Sequence, residues 1–298
     1  MTSAGDPFDL DGDASAYRRW RDWKLAHAPA GAEALVVEVR DPAQLSDAER
    51  EALVLRCRVA NLAVYASRPR GEDKDLLRAL GAQLGLVRLD ANWLADEDGI
   101  SSLRVSAGGT RGDFIPYTNQ PIRWHTDGYY NPPALRIRAM LLHCVERAAE
   151  GGENRLLDHE IAYLLLRERD PRFVRALSAP DVMSIPAREA DDGVRPAQAG
   201  PVFSCLPDSG DLHMRYTART RSIEWRDDPD TRAAVQALRE VIDSAGAHVL
   251  RLRLEPGMGI VCNNVLHDRS GFTDGADRHR VVLRARYLDR IAGTQRPA

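Results

Sequence analysis

Two hydrophobic periods alternate along this chain, and the point where one gives way to the other divides it. LSDAEREALVLRCRVANLAVYAS, from residue 45, carries apolar residues at helical spacing. Ser46 and Glu49 head it as an S-x-x-E capping box, which marks a helix start. DKDLLRALGAQL (73–84) repeats the helical pattern over a shorter span. EALVVEVR (33–40) reads as a strand, and SLRVSAG (102–108) alternates like one. From residue 114 the pattern turns mainly β. ALRIRAMLLHCV (134–145), NRLLD (154–158), HMRYTA (213–218), HVLRLRLEPG (248–257), MGIVCNN (258–264) and HRVVLRARYLD (279–289) are its strands. Helical stretches interrupt them at 159–178, broken at Pro171, and at 228–246. Residues 179–211, rich in Pro, Gly, Asp and Ala, predict a long excursion of the kind that covers a site as a lid.

The first 33 residues are polar, with Tyr17, Trp20 and Trp23 spaced at three. That spacing predicts a short amphipathic helix whose rings anchor the N-terminus. The expected division is this polar segment (1–33) followed by a single domain over 34–298. No internal repeat or low-complexity tract is visible.

Charge and cysteine content narrow the function classes. The 41 basic and 44 acidic residues leave a formal net charge of -3, which suggests neither a nucleic-acid nor a membrane partner. No stretch approaches the length of an apolar membrane span. Cys57, Cys144, Cys205 and Cys262 form no C-x-x-C pair, so a zinc ribbon or dithiol motif is not expected, and the thiols read as reduced. The acidic, polar start is unlike a signal peptide. The expected location is the cytoplasm, and the expected partner is a small-molecule substrate. The chain leaves room for a homo-oligomer without specifying one.

Candidate chemistry centres on RWHTDGYY (123–130). Residues two apart on a strand share a face, so His125 and Asp127 can point into one cavity. An imidazole nitrogen and a carboxylate oxygen suit a divalent first-row metal, but two ligands hold it weakly. Among the other histidines, His267 stands out in GIVCNNVLHDRSGF, where a strand runs into Asn263 and Asn264 before it. A facing strand of a double-sheet jelly roll would bring it back. Two histidines and one carboxylate form a facial triad with open positions, as non-haem Fe(II) oxygenases require. HRVVLRARY adds Arg280 and Arg284, whose planar forks suit a carboxylate. EGGENRLLD adds a paired-glycine turn and Asn154.

Together TNQPIRWHTDGYYNPP, AEGGENRLLD, NNVLHDRSGF and HRVVLRARYLD resemble, in order, the taurine dioxygenase and γ-butyrobetaine hydroxylase superfamily of Fe(II)/2-oxoglutarate-dependent dioxygenases. The resemblance covers residues 118–289. It implies a mainly β fold with flanking helices, the double-stranded β-helix or jelly roll of the clavaminate synthase type. It implies that His125, Asp127 and His267 ligate Fe(II). Arg280 would bind the far carboxylate of 2-oxoglutarate, with Asn154 in place of a common threonine, and Arg284 is left open between cosubstrate and substrate. The implied reaction uses O2, releases succinate and CO2, and hydroxylates an unactivated C–H bond of a small polar molecule. Because Asp127 fills a place that a halide would need, halogenation is disfavoured. Asp268 stands where γ-butyrobetaine hydroxylases usually carry glycine, and the cysteine ligands of their small zinc domain are absent.

Asn119, Trp124, Tyr129 and Arg219 are the substrate-contact candidates. For the aromatics the alternative is wall packing, and for Arg219 a solvated surface. His143, His213, His279, Cys144 and Cys262 read as structural residues, and Asn263 and Asn264 as orienting the loop that holds His267. Two other functions fit part of the pattern. A cupin-type metalloenzyme that does not use 2-oxoglutarate would not need Arg280. A non-catalytic binding module on the same fold would not need the triad.

Overall fold

The computed structural model describes residues 5–90, 99–106, 114–190, 193–221 and 223–296. Ten strands build two facing sheets: β1 (Val36–Glu38), β2 (Leu62–Ala66), β3 (Ile100–Leu103), β4 (Ile122–His125), β5 (Ala139–Glu146), β6 (Asn154–Leu157), β7 (Leu250–Leu252), β8 (Met258–Cys262), β9 (Leu266–Arg269) and β10 (Val281–Tyr287). The larger sheet has six strands in the order β1-β2-β8-β5-β10-β3, and the smaller has four in the order β7-β6-β9-β4. Only β1 and β2 pair in parallel; the other ladders of these sheets are antiparallel. The non-sequential strand orders, with β9 between β6 and β4, give the expected jelly roll.

Alternation along the strands decides what faces what. β5 sends Met140, Leu142 and Cys144 between the sheets, where Val282, Leu156, Leu250, Ile260 and Cys262 meet them. Its outward residues, Ala139 and Leu141, join Tyr65, Val261, Leu283, Ala285 and Tyr287 in a second core. Six helices are described: α1 (Ala14–Ala26), α2 (Asp47–Ala60), α3 (Lys74–Gln83), α4 (His159–Arg169), α5 (Pro171–Leu177) and α6 (Pro229–Ser244). α2 and α3 cover that outer face with Leu53, Cys57, Leu76, Leu77 and Leu80. The capping box closes as expected: the Ser46 amide donates to Glu49 Oε2 at 2.7 Å, and the Glu49 amide to Ser46 Oγ at 3.3 Å.

The smaller sheet is covered on its outside by α1, α4, α5 and α6, which pack around Trp124, Leu157 and Leu266. Tyr17 and Trp20 of α1 enter this core, while Trp23 lies against His27. α1 is also held by charge. Lys24 is buried, with Nζ 2.6 Å from Asp158 Oδ2 and 2.5 Å from Glu160 Oε2.

Several element boundaries differ from the hydrophobic pattern. The stretch 33–40 opens as a 3-10 turn over Ala32–Leu35 before β1. The strand expected from residue 134 begins at Ala139, because Pro132 and Pro133 supply no ladder donors and start a 3-10 turn instead. The strand expected at 102–108 is β3, from Ile100, and residues 107–108 lie outside the described part. The excursion at 179–211 is folded into short ribbons. Met183–Ile185 pairs with Gln198–Gly200, Arg188–Ala190 with Gly193–Arg195, and Phe203–Cys205 with Leu212–Met214. No described helix is long and apolar enough to cross a membrane.

Candidate active site

β4 and β9 run antiparallel in the smaller sheet with His125 directly opposite His267. Directly opposed residues share a face, so both rings enter the space between the sheets, their centroids 4.2 Å apart. Asp127 follows just past the end of β4, and its Oδ1 lies 3.5 Å from His125 Nε2. One ligand atom from each of His125, Asp127 and His267 lies within 4.8 Å of the others; this is the one such cluster among the described residues.

The protonation pattern of this cluster suits a cation. His125 Nδ1 lies 2.9 Å from the Arg123 carbonyl and His267 Nδ1 3.0 Å from the Val265 carbonyl. A carbonyl only accepts, so Nδ1 carries a hydrogen in each ring and Nε2 is the nitrogen left to the cavity. Burial, with His125 close by, lowers the His267 pKa to about 4 against the pull of Asp127, so its imidazole is neutral at pH 7. Burial would raise the pKa of Asp127. The charge of Arg284, then a hydrogen bond shared with His125, then the charge of Arg286 outweigh it and hold the carboxyl well below the usual range. Asp127 Oδ2 is buried without a hydrogen-bond partner. A buried carboxylate with an orphaned oxygen, clustered with two imidazoles, fits an Fe(II) ion.

Asn264 fixes the carboxylate rather than the distal histidine. Its Oδ1 accepts from the Asp127 amide at 2.8 Å, and its Nδ2 donates to the Asp127 carbonyl at 3.0 Å and the Ile137 carbonyl at 2.8 Å. Asn264 itself adopts a left-handed backbone, φ 53°, which asparagine tolerates. Asn263 turns away to Asn61 and Thr294. Arg284 is part-buried beside the carboxylate: its Nη1 stands 3.4 Å from Asp127 Oδ1, and its buried Nε has no partner.

A second cationic group lies deeper between the sheets. Arg280 is buried, and no described acid pairs with its guanidinium, which lies 5.2 Å from the Phe272 ring. Arg269 lies 4.8 Å from the same ring. Burial, with Arg280 beside it, lowers the Arg269 pKa to about 9. Arg269 donates to the Thr118 and Gln120 carbonyls, and its buried Nε is unpartnered. Across the ladder Asn154 pairs with Arg269 and leaves its own buried Nδ2 unpartnered. Gly151 and Gly152 precede it at φ 71° and 72°, and a Cβ at Gly152 would meet Arg280 Nε at 3.5 Å. Two desolvated guanidiniums with free donors and no acid fit a carboxylate ligand such as that of 2-oxoglutarate.

The remaining candidates are placed apart from one another. Trp124 points to the helical side of the smaller sheet, buried beneath Arg155 at 5.0 Å. Asp268 alternates with His267 to the outer face and pairs there with Arg155. Asn119 is exposed, its carbonyl accepting from the Phe272 amide at 3.1 Å. Tyr129 and Arg219 stand together, with Arg219 Nη1 3.4 Å from the Tyr129 hydroxyl. His143 is buried against Tyr65, whose hydroxyl lies 2.8 Å from its Nδ1. Arg269 was absent from the candidates read in the sequence. The two-residue rule that joins His125 to Asp127 also joins His267 to Arg269.

Residues 24–286 match the profile of the taurine catabolism dioxygenase TauD, TfdA family. The chain belongs to that family. The family's chemistry is that of a dioxygenase using Fe(II), 2-oxoglutarate and O2. A uridine-5'-phosphate dioxygenase of an Amycolatopsis species is 33% identical over 171 residues, 56% of this chain and 60% of the relative. A protein of the same description from a Streptomyces species is 30% identical over 196 residues, 64% of this chain and 69% of the relative. The match thus spans about three-fifths to two-thirds of these relatives. Among solved structures, asparagine oxygenase with Fe(II), 3-hydroxyasparagine and succinate superposes with TM-score 0.59 at 18% identity, covering 96% of this chain and 87% of that one. The non-haem iron oxygenase OrfP with Fe and α-ketoglutaric acid superposes with TM-score 0.60 at 19% identity, covering 83% and 81%. These two share the fold.

Proposed function

We propose that the protein is an Fe(II)/2-oxoglutarate-dependent dioxygenase that hydroxylates an unactivated C–H bond of a small polar molecule, releasing succinate and CO2. The observation that carries this reading is the cluster of the opposed pair His125 and His267 with Asp127, whose ligand atoms lie within 4.8 Å of one another and whose buried Oδ2 has no partner. His125, Asp127 and His267 hold the metal, which supplies the O2 chemistry that side chains cannot perform. Arg280 takes the far carboxylate of 2-oxoglutarate, supported by Asn154 and Arg269. Arg284 steadies Asp127 as a carboxylate. Asn264 holds the Asp127 peptide in place, and the apolar residues between the sheets keep water from the site.

The two relatives described as uridine-5'-phosphate dioxygenases make a nucleoside 5'-monophosphate the first substrate to try. The test is anaerobic titration of 2-oxoglutarate into the Fe(II)-loaded protein, followed by O2 and uridine 5'-phosphate with succinate measured. Succinate release dependent on both Fe(II) and 2-oxoglutarate supports the reading. Metal-loaded protein that does not bind 2-oxoglutarate contradicts it and favours a cupin-type enzyme.

A further inference from the structure

The segment 215–219 runs antiparallel beside β4. Thr217 lies opposite His125, the Thr126 amide donates to the Tyr216 carbonyl, and the Ala218 amide donates to the Trp124 carbonyl. Opposed residues share a face, so Thr217, and with it Arg215 and Arg219, faces the side that His125 faces. Tyr216, on the other side, packs with Trp124 in the helical core. Two arginines of this segment therefore lie on the metal side.

They have different duties. Arg215 donates to the carbonyls of Tyr129, Met183, Gly200 and Gln198 at 2.7, 2.9, 3.3 and 2.7 Å, which ties the ribbons of the excursion to the turn after Asp127. Arg219 is exposed, and among the described residues its guanidinium reaches the Tyr129 hydroxyl. Opposite them stands Arg195, which ends the Arg188–Ala190/Gly193–Arg195 ribbon. Its guanidinium lies 5.9 Å from the ring of Tyr130, and the hydroxyl of Tyr130 accepts from Arg286 at 2.9 Å. Among the described residues Arg195 donates to the Pro186 carbonyl, and its buried Nη1 has no partner. Arg136 also stands close enough to Arg215 for their charges to oppose each other, and no described acid pairs with it. A part-buried guanidinium near other cations, such as that of Arg195 with its unpartnered Nη1, is costly unless an anion joins it.

We propose that Arg195, beside Tyr130, and Arg219, beside Tyr129, form the seat for a phosphate monoester on the substrate. The inference rests on the proposed dioxygenase reading and adds which end of the substrate is held at the mouth. The ester's phosphate takes charge-assisted hydrogen bonds from the two guanidiniums, and the C–H bond to be oxidised extends past Thr217 toward the metal.

The test is calorimetric titration of the anaerobic Fe(II)- and 2-oxoglutarate-loaded protein with uridine 5'-phosphate, ribose 5-phosphate and uridine. Uridine 5'-phosphate should bind about tenfold or more tightly than uridine, and ribose 5-phosphate should share that advantage. Arg195→Gln and Arg219→Gln should each weaken the phosphate esters by about tenfold, leaving uridine unchanged, with Arg195→Lys intermediate. The affinity for 2-oxoglutarate, measured in the same variants, should hold, which shows that each is folded. Phosphate esters that bind no better than uridine, or variants that keep the preference, overturn the seat while the dioxygenase reading stands. Loss of 2-oxoglutarate binding by the unaltered protein is the separate result that removes that reading and the seat with it.

Discussion

His125 and His267 are direct cross-strand partners, one at the end of β4 and the other in β9, with their Nδ1 atoms turned to carbonyls and their Nε2 atoms turned to the same cavity. The pairing makes the metal site a property of strand register. A one-residue slip between β4 and β9 would turn one ring out of the cavity.

Replacing Asn264 tests whether the carboxylate ligand needs its peptide clamp. Asn264→Ala removes three hydrogen bonds around the Asp127 turn. Fe(II) affinity should fall by about 10- to 100-fold, the usual effect of losing a group that orients a ligand. Anaerobic competition against a coloured chelator measures it, and an unchanged affinity would show that the turn holds itself.

Arg280→Ala should weaken 2-oxoglutarate binding by roughly 30-fold or more, since a buried charge-assisted contact contributes on the order of 2 kcal/mol or more. Fe(II) binding should be little changed, because Arg280 is not one of the metal-site residues. Arg280→Lys should recover only part, lacking the planar fork.

Acid should destabilise the metal-free protein, and the sign follows from two histidines. The pKa values of His143 and His267 are each lowered to about 4 in the folded chain, His143 by burial and His267 by burial and then His125. Between about pH 6.5 and 4 the unfolded chain binds protons that the folded chain does not, so stability is lost as pH falls through that window. At pH 5 each contributes a loss of about 2 kcal/mol relative to pH 7.5. Urea unfolding at both pH values measures it, and His143→Gln should reduce the difference by about a third at most, because burial also lowers the pKa of His213, to about 3, and that of His159, and both cost stability over the same window.

Lys24→Ala should cost about 3–5 kcal/mol, because it leaves Asp158 and Glu160 buried without their cation. Lys24→Met together with Asp158→Asn and Glu160→Gln should recover much of the loss. A thermal melt unaffected by the single change would show that α1 is not charge-anchored.

The clustering of His125, Asp127 and His267 was legible because it depends on local rules. The two-residue rule joined His125 to Asp127, and the jelly-roll return supplied His267. The capping box at Ser46 and Glu49 and the break at Pro171 were equally local, and the structure has both. What the sequence did not disclose depends on partners distant in the chain. Asn264 looked like a support for His267 two or three residues on, yet its hydrogen bonds cross to Asp127 and Ile137. Trp124 looked like a site wall from its neighbours, but strand alternation turns it to the helices. Arg284 was ambiguous because only the folded sheet brings it beside Asp127. The seat formed by Arg195 and Arg219 joins residues from separate ribbons and has no spacing to read.

The most direct measurement of the central claim is the visible absorption spectrum of anaerobic protein titrated with Fe(II) and 2-oxoglutarate. The assignment predicts a weak charge-transfer band at one equivalent of iron, absent from His267→Ala and from Asp127→Ala and displaced to higher 2-oxoglutarate concentration in Arg280→Ala. Protein that takes up one equivalent of Fe(II) and 2-oxoglutarate without a band, or a band that persists in His267→Ala, would contradict it.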